Sequence, residues 1–157
     1  MSLHFIFFLV ARAAVSLVTA MLSIAIGWHL YQNSAVPFDL ALVGVMQVTP
    51  IFLFFFVTGW ATDSLPRKTL LIICTVSDVI ILAGISLVML NGSHNLTAIF
   101  TLLFAHGTAK AFYTPAQQAI ITNIVPNHML SRAIALNATI GKVFGTAGPL
   151  LAGVLIA

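Results

Sequence analysis

An all-α membrane protein is the fold class this sequence predicts, and three observations carry it. Of 157 residues 61% are hydrophobic and only 6% charged, a composition that a water-wetted surface does not have. The mean hydropathy is +1.13. The apolar residues fall into five runs separated by short polar turns, each long enough to cross a hydrocarbon layer of about 30 Å. Six Lys and Arg against three Asp, with no Glu, leave a net charge of +3. So few charges cannot coat a nucleic-acid surface; the expected surroundings are the lipid bilayer, with no nucleic acid.

Taken in order, the spans are expected at residues 3–31, 39–61, 69–90, 96–123 and 133–157. The first ends in Trp28 and Tyr31, amphipathic rings suited to a membrane–water interface. The second carries Pro50, and the fourth and fifth carry Pro115 and Pro149; proline inside a membrane helix frees a carbonyl and kinks the segment. Turns are expected at residues 32–37, at the NGSHN stretch of residues 91–95, and at residues 124–132, where Pro126, Asn127, His128 and Arg132 make the chain polar again. Cys74, the single cysteine, excludes an internal disulfide and reads as a small buried hydrophobe. His29, His94 and His128 lie near span ends; no two histidines have metal-ligand spacing, so neither metal nor cofactor is expected. MSLH has no Lys or Arg and the apolar run after it is too long for a cleaved signal.

Orientation follows from the short loops. Two Lys or Arg fall after the second span, one after the fourth, and none in the other two loops, which places the N-terminus in the cytoplasm. Five spans then end outside with no polar tail, so a fragment of a longer protein is expected.

The loop after the second span reads GWATDSLPRK over residues 59–68 and should lie in water. Gly59 would let two helices approach closely, Asp63 would cap the next helix or bind a cation, and Arg67 and Lys68 would hold the loop on the cytoplasmic side. The pattern Gly59, Asp63, Arg67, Lys68 resembles the loop signature of the major facilitator superfamily. Further stretches match the same family: IGWHLYQNS, LVGVMQVTP, AFYTPAQQAIITNIVP and the run from Arg132 through AIALNATIGKVFGTAGPLLAG. Gly148, Pro149 and Gly153 resemble the fifth-helix motif of proton-driven exporters, with Ala152 where that motif has a glycine. More narrowly, the chain resembles the enterobactin-exporter-like branch. The resemblance implies a partial major facilitator fold, with residues 1–157 an incomplete N-terminal transporter half and a second half missing. It also implies that Asp63 works with the loop as a cytoplasmic gate.

Polar residues inside the spans form two stripes. Arg12, Ser16, Thr19 and Ser23 follow steps of 4, 3 and 4 on the first span, and His106, Lys110, Tyr113 and Gln117 repeat those steps on the fourth. Two oppositely directed helices with wettable faces fit an inverted pair of repeats lining a substrate pathway. Arg12, Asp78, Lys142 and Lys110 lie roughly 14, 15, 15 and 20 Å from the cytoplasmic end at 1.5 Å per residue, close to one layer. An unpaired charge there costs roughly 3 kcal/mol or more. Three cations and one anion leave a positive surplus that points to a small amphipathic or anionic substrate. For Asp78 two roles are open: a proton-coupling carboxylate, or the buried ion-pair partner of Lys142 or Arg12. Gly141 and Gly145 have the spacing of a close helix contact.

These observations lead to a secondary transporter of the bacterial inner membrane, exporting a siderophore-like or drug-like molecule on the proton gradient; it is not expected to be an enzyme, since no acid, base and nucleophile set is present. The alternative is a truncated or accessory multi-span protein with no transport of its own.

Overall fold

The computed structural model describes residues 3–33, 37–91 and 95–156. The turns expected around residues 34–36 and 92–94, and His94 with them, lie outside the described residues. Six α-helices follow one another: α1 (Leu3–Asn33), α2 (Pro37–Leu53), α3 (Phe55–Ser64), α4 (Arg67–Leu90), α5 (Leu96–Ile124) and α6 (Leu130–Ile156), with a 3₁₀ turn at Asn127–Met129 before the last. No strand occurs among the described residues. In lipid every backbone polar group must be satisfied within its own segment, and the helix does that. The hydroxyls obey the same constraint: Thr62, Thr75, Ser86 and Thr146 each donate to the carbonyl four residues earlier, at 2.7–2.9 Å.

Three segments are long and apolar enough to cross a membrane: Phe5–Gln32, Arg67–Leu90 and Asn127–Leu155. A fourth results if α2 and α3 are counted as one bent span. Of the five spans expected, the one at residues 96–123 corresponds to α5, which is long enough but is not among these segments. Its apolar run is diluted by His106, Lys110, Gln117, Gln118 and Asn123.

The second span, expected to be continuous over residues 39–61, is two helices meeting at 56°. Pro50, which has no N–H to donate, lies one turn before the break. The chain crosses it with backbone bonds intact, from Phe54 N to the Pro50 carbonyl at 2.9 Å and from Thr58 N to the Phe54 carbonyl at 2.8 Å. Phe54 itself turns its ring toward Phe112 of α5, 6.1 Å between centroids. Pro115 and Pro149, by contrast, sit inside continuous helices.

The chain forms two compact units, Met1–Trp28 with Ile120–Ala157, and His29–Ala119. In the first, Phe5 and Leu9 of α1 pack with Ile121 and Ala133. Gly148 of α6 lies against α1 so closely that a Cβ there would stand 2.6 Å from the Ala20 Cβ and 3.0 Å from the Leu17 carbonyl oxygen. In the second, Leu70 and Cys74 of α4 pack on Ala116 of α5, so Cys74 is the buried hydrophobe expected. Gly107 of α5 meets the backbone of α2, where a Cβ would stand 2.6 Å from the Gln47 carbonyl oxygen.

These two glycines are required by space and not by backbone conformation. Gly107→Ala and Gly148→Ala should each destabilise the fold by about 1–3 kcal/mol, read as a lowered unfolding midpoint in detergent. Gly145→Ala should leave it nearly unchanged, because nothing stands within 4 Å of a Cβ at that position. Equal midpoints for all three variants would contradict this packing.

Candidate functional site

The second unit contains one titratable pair in its interior. Contacts between α4 and α5 run in opposite senses, with Gly84 beside Leu102 and Cys74 beside Ala116, so the two helices are antiparallel neighbours. That arrangement brings Asp78 level with His106. His106 Nδ1 and Asp78 Oδ1 are 2.6 Å apart, with side-chain exposures of 3% and 16%. A contact this short with an ionisable partner is a charge-assisted hydrogen bond. With one proton beyond that on the neutral imidazole the pair has no net charge; without it the net charge is −1. An apolar surround leaves each of the two side chains dependent on the other as its polar partner. Sequence reasoning offered Lys142 or Arg12 as partners for Asp78; the partner the structure gives it is His106. Depth along the chain cannot distinguish these, whereas the hairpin register does.

The first unit has the opposite electrostatic character. It holds Arg12, Arg132 and Lys142 and no acidic residue. Arg12 is half-buried on α1, its Nε is buried with no hydrogen-bond partner, and its guanidinium lies over Gly141 of α6. A Cβ at Gly141 would stand 2.8 Å from Arg12 Nη2, so the glycine makes room for the cation. Lys142 is exposed, as is Gly153, while Gly148 is buried and Pro149 half-buried.

The stripe on α1 is uniform. Arg12, Ser16, Thr19 and Ser23 are all half-buried, on a line that Phe5 and Leu9 begin and Ile26 and Leu30 complete, all four of them buried. Ser23 Oγ donates to the Thr19 carbonyl at 3.1 Å. The stripe on α5 is not uniform. His106 and Gln117 are buried, Tyr113 is half-buried beside the Leu70 cluster, and Lys110 is exposed. His106 spends its ring on Asp78 instead of standing open as a lining residue.

The loop at residues 59–68 is mostly helical. Gly59 and Asp63 belong to α3, Arg67 and Lys68 begin α4, and only Leu65 and Pro66 lie between. Space beside Gly59 is open to 4 Å, so it does not serve a close helix approach. Asp63 does not cap α4, which begins after Pro66 with no side-chain cap. It lies in the last turn of α3, where a carboxylate opposes the helix dipole and contributes nothing to helix stability. Arg67 reaches back to α5, donating from Nη1 to the Ala119 carbonyl at 2.9 Å. A cation near that helix's C-terminal end suits its dipole and holds the α3–α4 junction to α5.

Two features escaped the sequence: the Asp78–His106 bond and the seat of Gly107 on Gln47. A signal existed for the first, since positions 78 and 106 are equidistant from residue 92 in the turn. Among known proteins, a family model described as transmembrane secretion effector matches the chain over residues 3–157. No curated protein and no solved structure matches it.

Asp78 and His106 should couple energetically. In a double-mutant cycle of Asp78→Asn, His106→Gln and both together, unfolding in detergent should give an interaction energy of about 1–3 kcal/mol. Additive single effects would mean that the two side chains do not share a bond.

Proposed function

Because the chain belongs to the transmembrane secretion effector family of the major facilitator type, we propose that it forms the N-terminal part of a secondary transporter that exports a small amphipathic or anionic molecule on the proton gradient. Proton coupling rests on one observation, the part-buried 2.6 Å bond between Asp78 and His106 on adjacent apolar helices. A pair that is neutral with a proton and anionic without it changes the electrostatics of its helices as it loads and unloads. In an antiporter cycle an entering proton would settle on the pair while substrate leaves, with alternating access supplied by movement of the helices that contain Pro50, Pro115 and Pro149.

The remaining roles extend this reading. Arg12, supported by Gly141, would meet the substrate's negative group at the head of a pathway lined by Ser16, Thr19 and Ser23. Lys110, Tyr113 and Gln117 of α5 would serve substrate passage as well, and Lys142 would add to the positive field. Gly59, Asp63, Arg67 and Lys68 would form the cytoplasmic gate; Asp63, placed where it does not help its own helix, is free to act on a moving partner. Gly148, Pro149 and Gly153 would serve as the exporter motif of α6. Five spans with a cytoplasmic N-terminus, a complementary second half, a bacterial inner membrane and a siderophore-like cargo complete the proposal, the last by resemblance to the enterobactin-exporter-like branch.

The test is efflux of an anionic dye from vesicles bearing this chain with a complementary second half, under an imposed pH gradient. Asp78→Asn should remove the gradient-driven part of efflux while the protein still inserts; gradient-driven efflux at the wild-type rate would refute the coupling role. Asp63→Asn should abolish efflux, and an unchanged rate would remove the gate assignment. Lys110→Gln should slow anion export more than export of neutral compounds, and equal losses would count against an anionic substrate.

A further inference from the structure

The first unit has a partly open cavity lined by none of the residues proposed above for transport. It measures about 240 Å³ and is formed by Phe5 of α1, Ile124 at the end of α5, Met129 of the 3₁₀ turn, and Arg132, Ala133 and Leu136 of α6. Phe5 opens one candidate span and Asn127, beside Met129, opens another, so the cavity lies at the starting end of both candidate spans.

Its chemistry is one-sided. The volume equals about eight waters at bulk density, but a buried water needs two to four polar partners and this wall is apolar apart from Arg132. Arg132 is exposed, its side chain makes no hydrogen bond or ion pair among the described residues, and its unit contains no acid to neutralise it. A guanidinium at the rim of an apolar hole at the starting end of two candidate spans is complementary to a molecule with an anionic oxygen fork and a hydrocarbon tail. The bilayer itself supplies such a molecule at high local concentration.

We infer that this cavity is a binding site for an anionic phospholipid, with the phosphate on Arg132 and the upper acyl chain between Phe5 and Leu136. The lipid would fasten the start of α1 to the start of α6 and neutralise part of the unit's positive charge. The inference needs a membrane-embedded chain and does not depend on what is transported.

Native mass spectrometry of the chain released from nanodiscs of equal phosphatidylglycerol and phosphatidylcholine tests it. Retained lipid should be enriched in phosphatidylglycerol. Arg132→Gln should cut that enrichment about fivefold, the worth of one basic residue near a charged membrane surface, and Arg132→Lys should restore most of it. Leu136→Trp, which fills the cavity without altering charge, should reduce retention of both lipids. Ile134→Trp, at an exposed position on the same helix, should change neither. No enrichment in the wild type, enrichment that survives Arg132→Gln, or retention indifferent to Leu136→Trp would each overturn the site. Because lipid retention is read without transport, loss of the site with efflux intact, or the reverse, separates this inference from the transporter proposal.

Discussion

A charge within hydrocarbon has to be answered at the depth where it lies, and that constraint orders this molecule. Asp78 is the sole acid inside a long apolar helix, and a lone carboxylate there is costly. His106, one helix away and level with it, meets it at 2.6 Å. The bond needs α4 and α5 to be antiparallel and close. The cluster of Leu70, Cys74 and Ala116 nearer one end, and the contact of Gly84 with Leu102 nearer the other, supply that closeness. Packing here serves electrostatics: the small residues decide how near the helices come, and the pair decides where along them they register.

The two units solve the same problem differently. His29–Ala119 balances three acids against three bases, whereas the unit made from both chain ends carries bases only. Its Arg12 is held on a glycine with a buried Nε unsatisfied, and its Arg132 borders an apolar cavity. Unanswered cations of this kind are binding features in waiting, because an anion that reaches them recovers interactions the protein itself leaves unmade. That asymmetry is the physical basis for expecting anionic molecules here.

Much of this was legible in the amino-acid order. Apolar runs gave the bounds of α1, α4, α5 and α6 to within about three residues, since a membrane segment has no other way to satisfy its backbone, but they merged α2 and α3 into one span. The steps of 4, 3 and 4 between Arg12, Ser16, Thr19 and Ser23 located a single half-buried face on α1. The bend after Pro50 was foreshadowed, though its position at Phe54, whose ring pairs with Phe112 of another helix, was not. Pairings were the least readable. Spacing in one helix cannot say which neighbour faces it, so Asp78 was matched by depth to lysine and arginine when hairpin register joins it to His106. The close approach expected at Gly59 and the cap expected at Asp63 failed for a related reason: a motif fixes residue types but not where a helix ends, and α3 runs on through both.

The proposal on which the transport reading rests is that the Asp78–His106 pair takes up and releases a proton. The direct measurement is a pH titration of the chain in lipid, following the labelled His106 ring nitrogens by NMR and the Asp78 carboxyl stretch by infrared difference spectroscopy. The account predicts that both signals change together, in one step that disappears when residue 78 is asparagine. A pair that keeps one protonation state across the whole range in which the protein stays folded would contradict it.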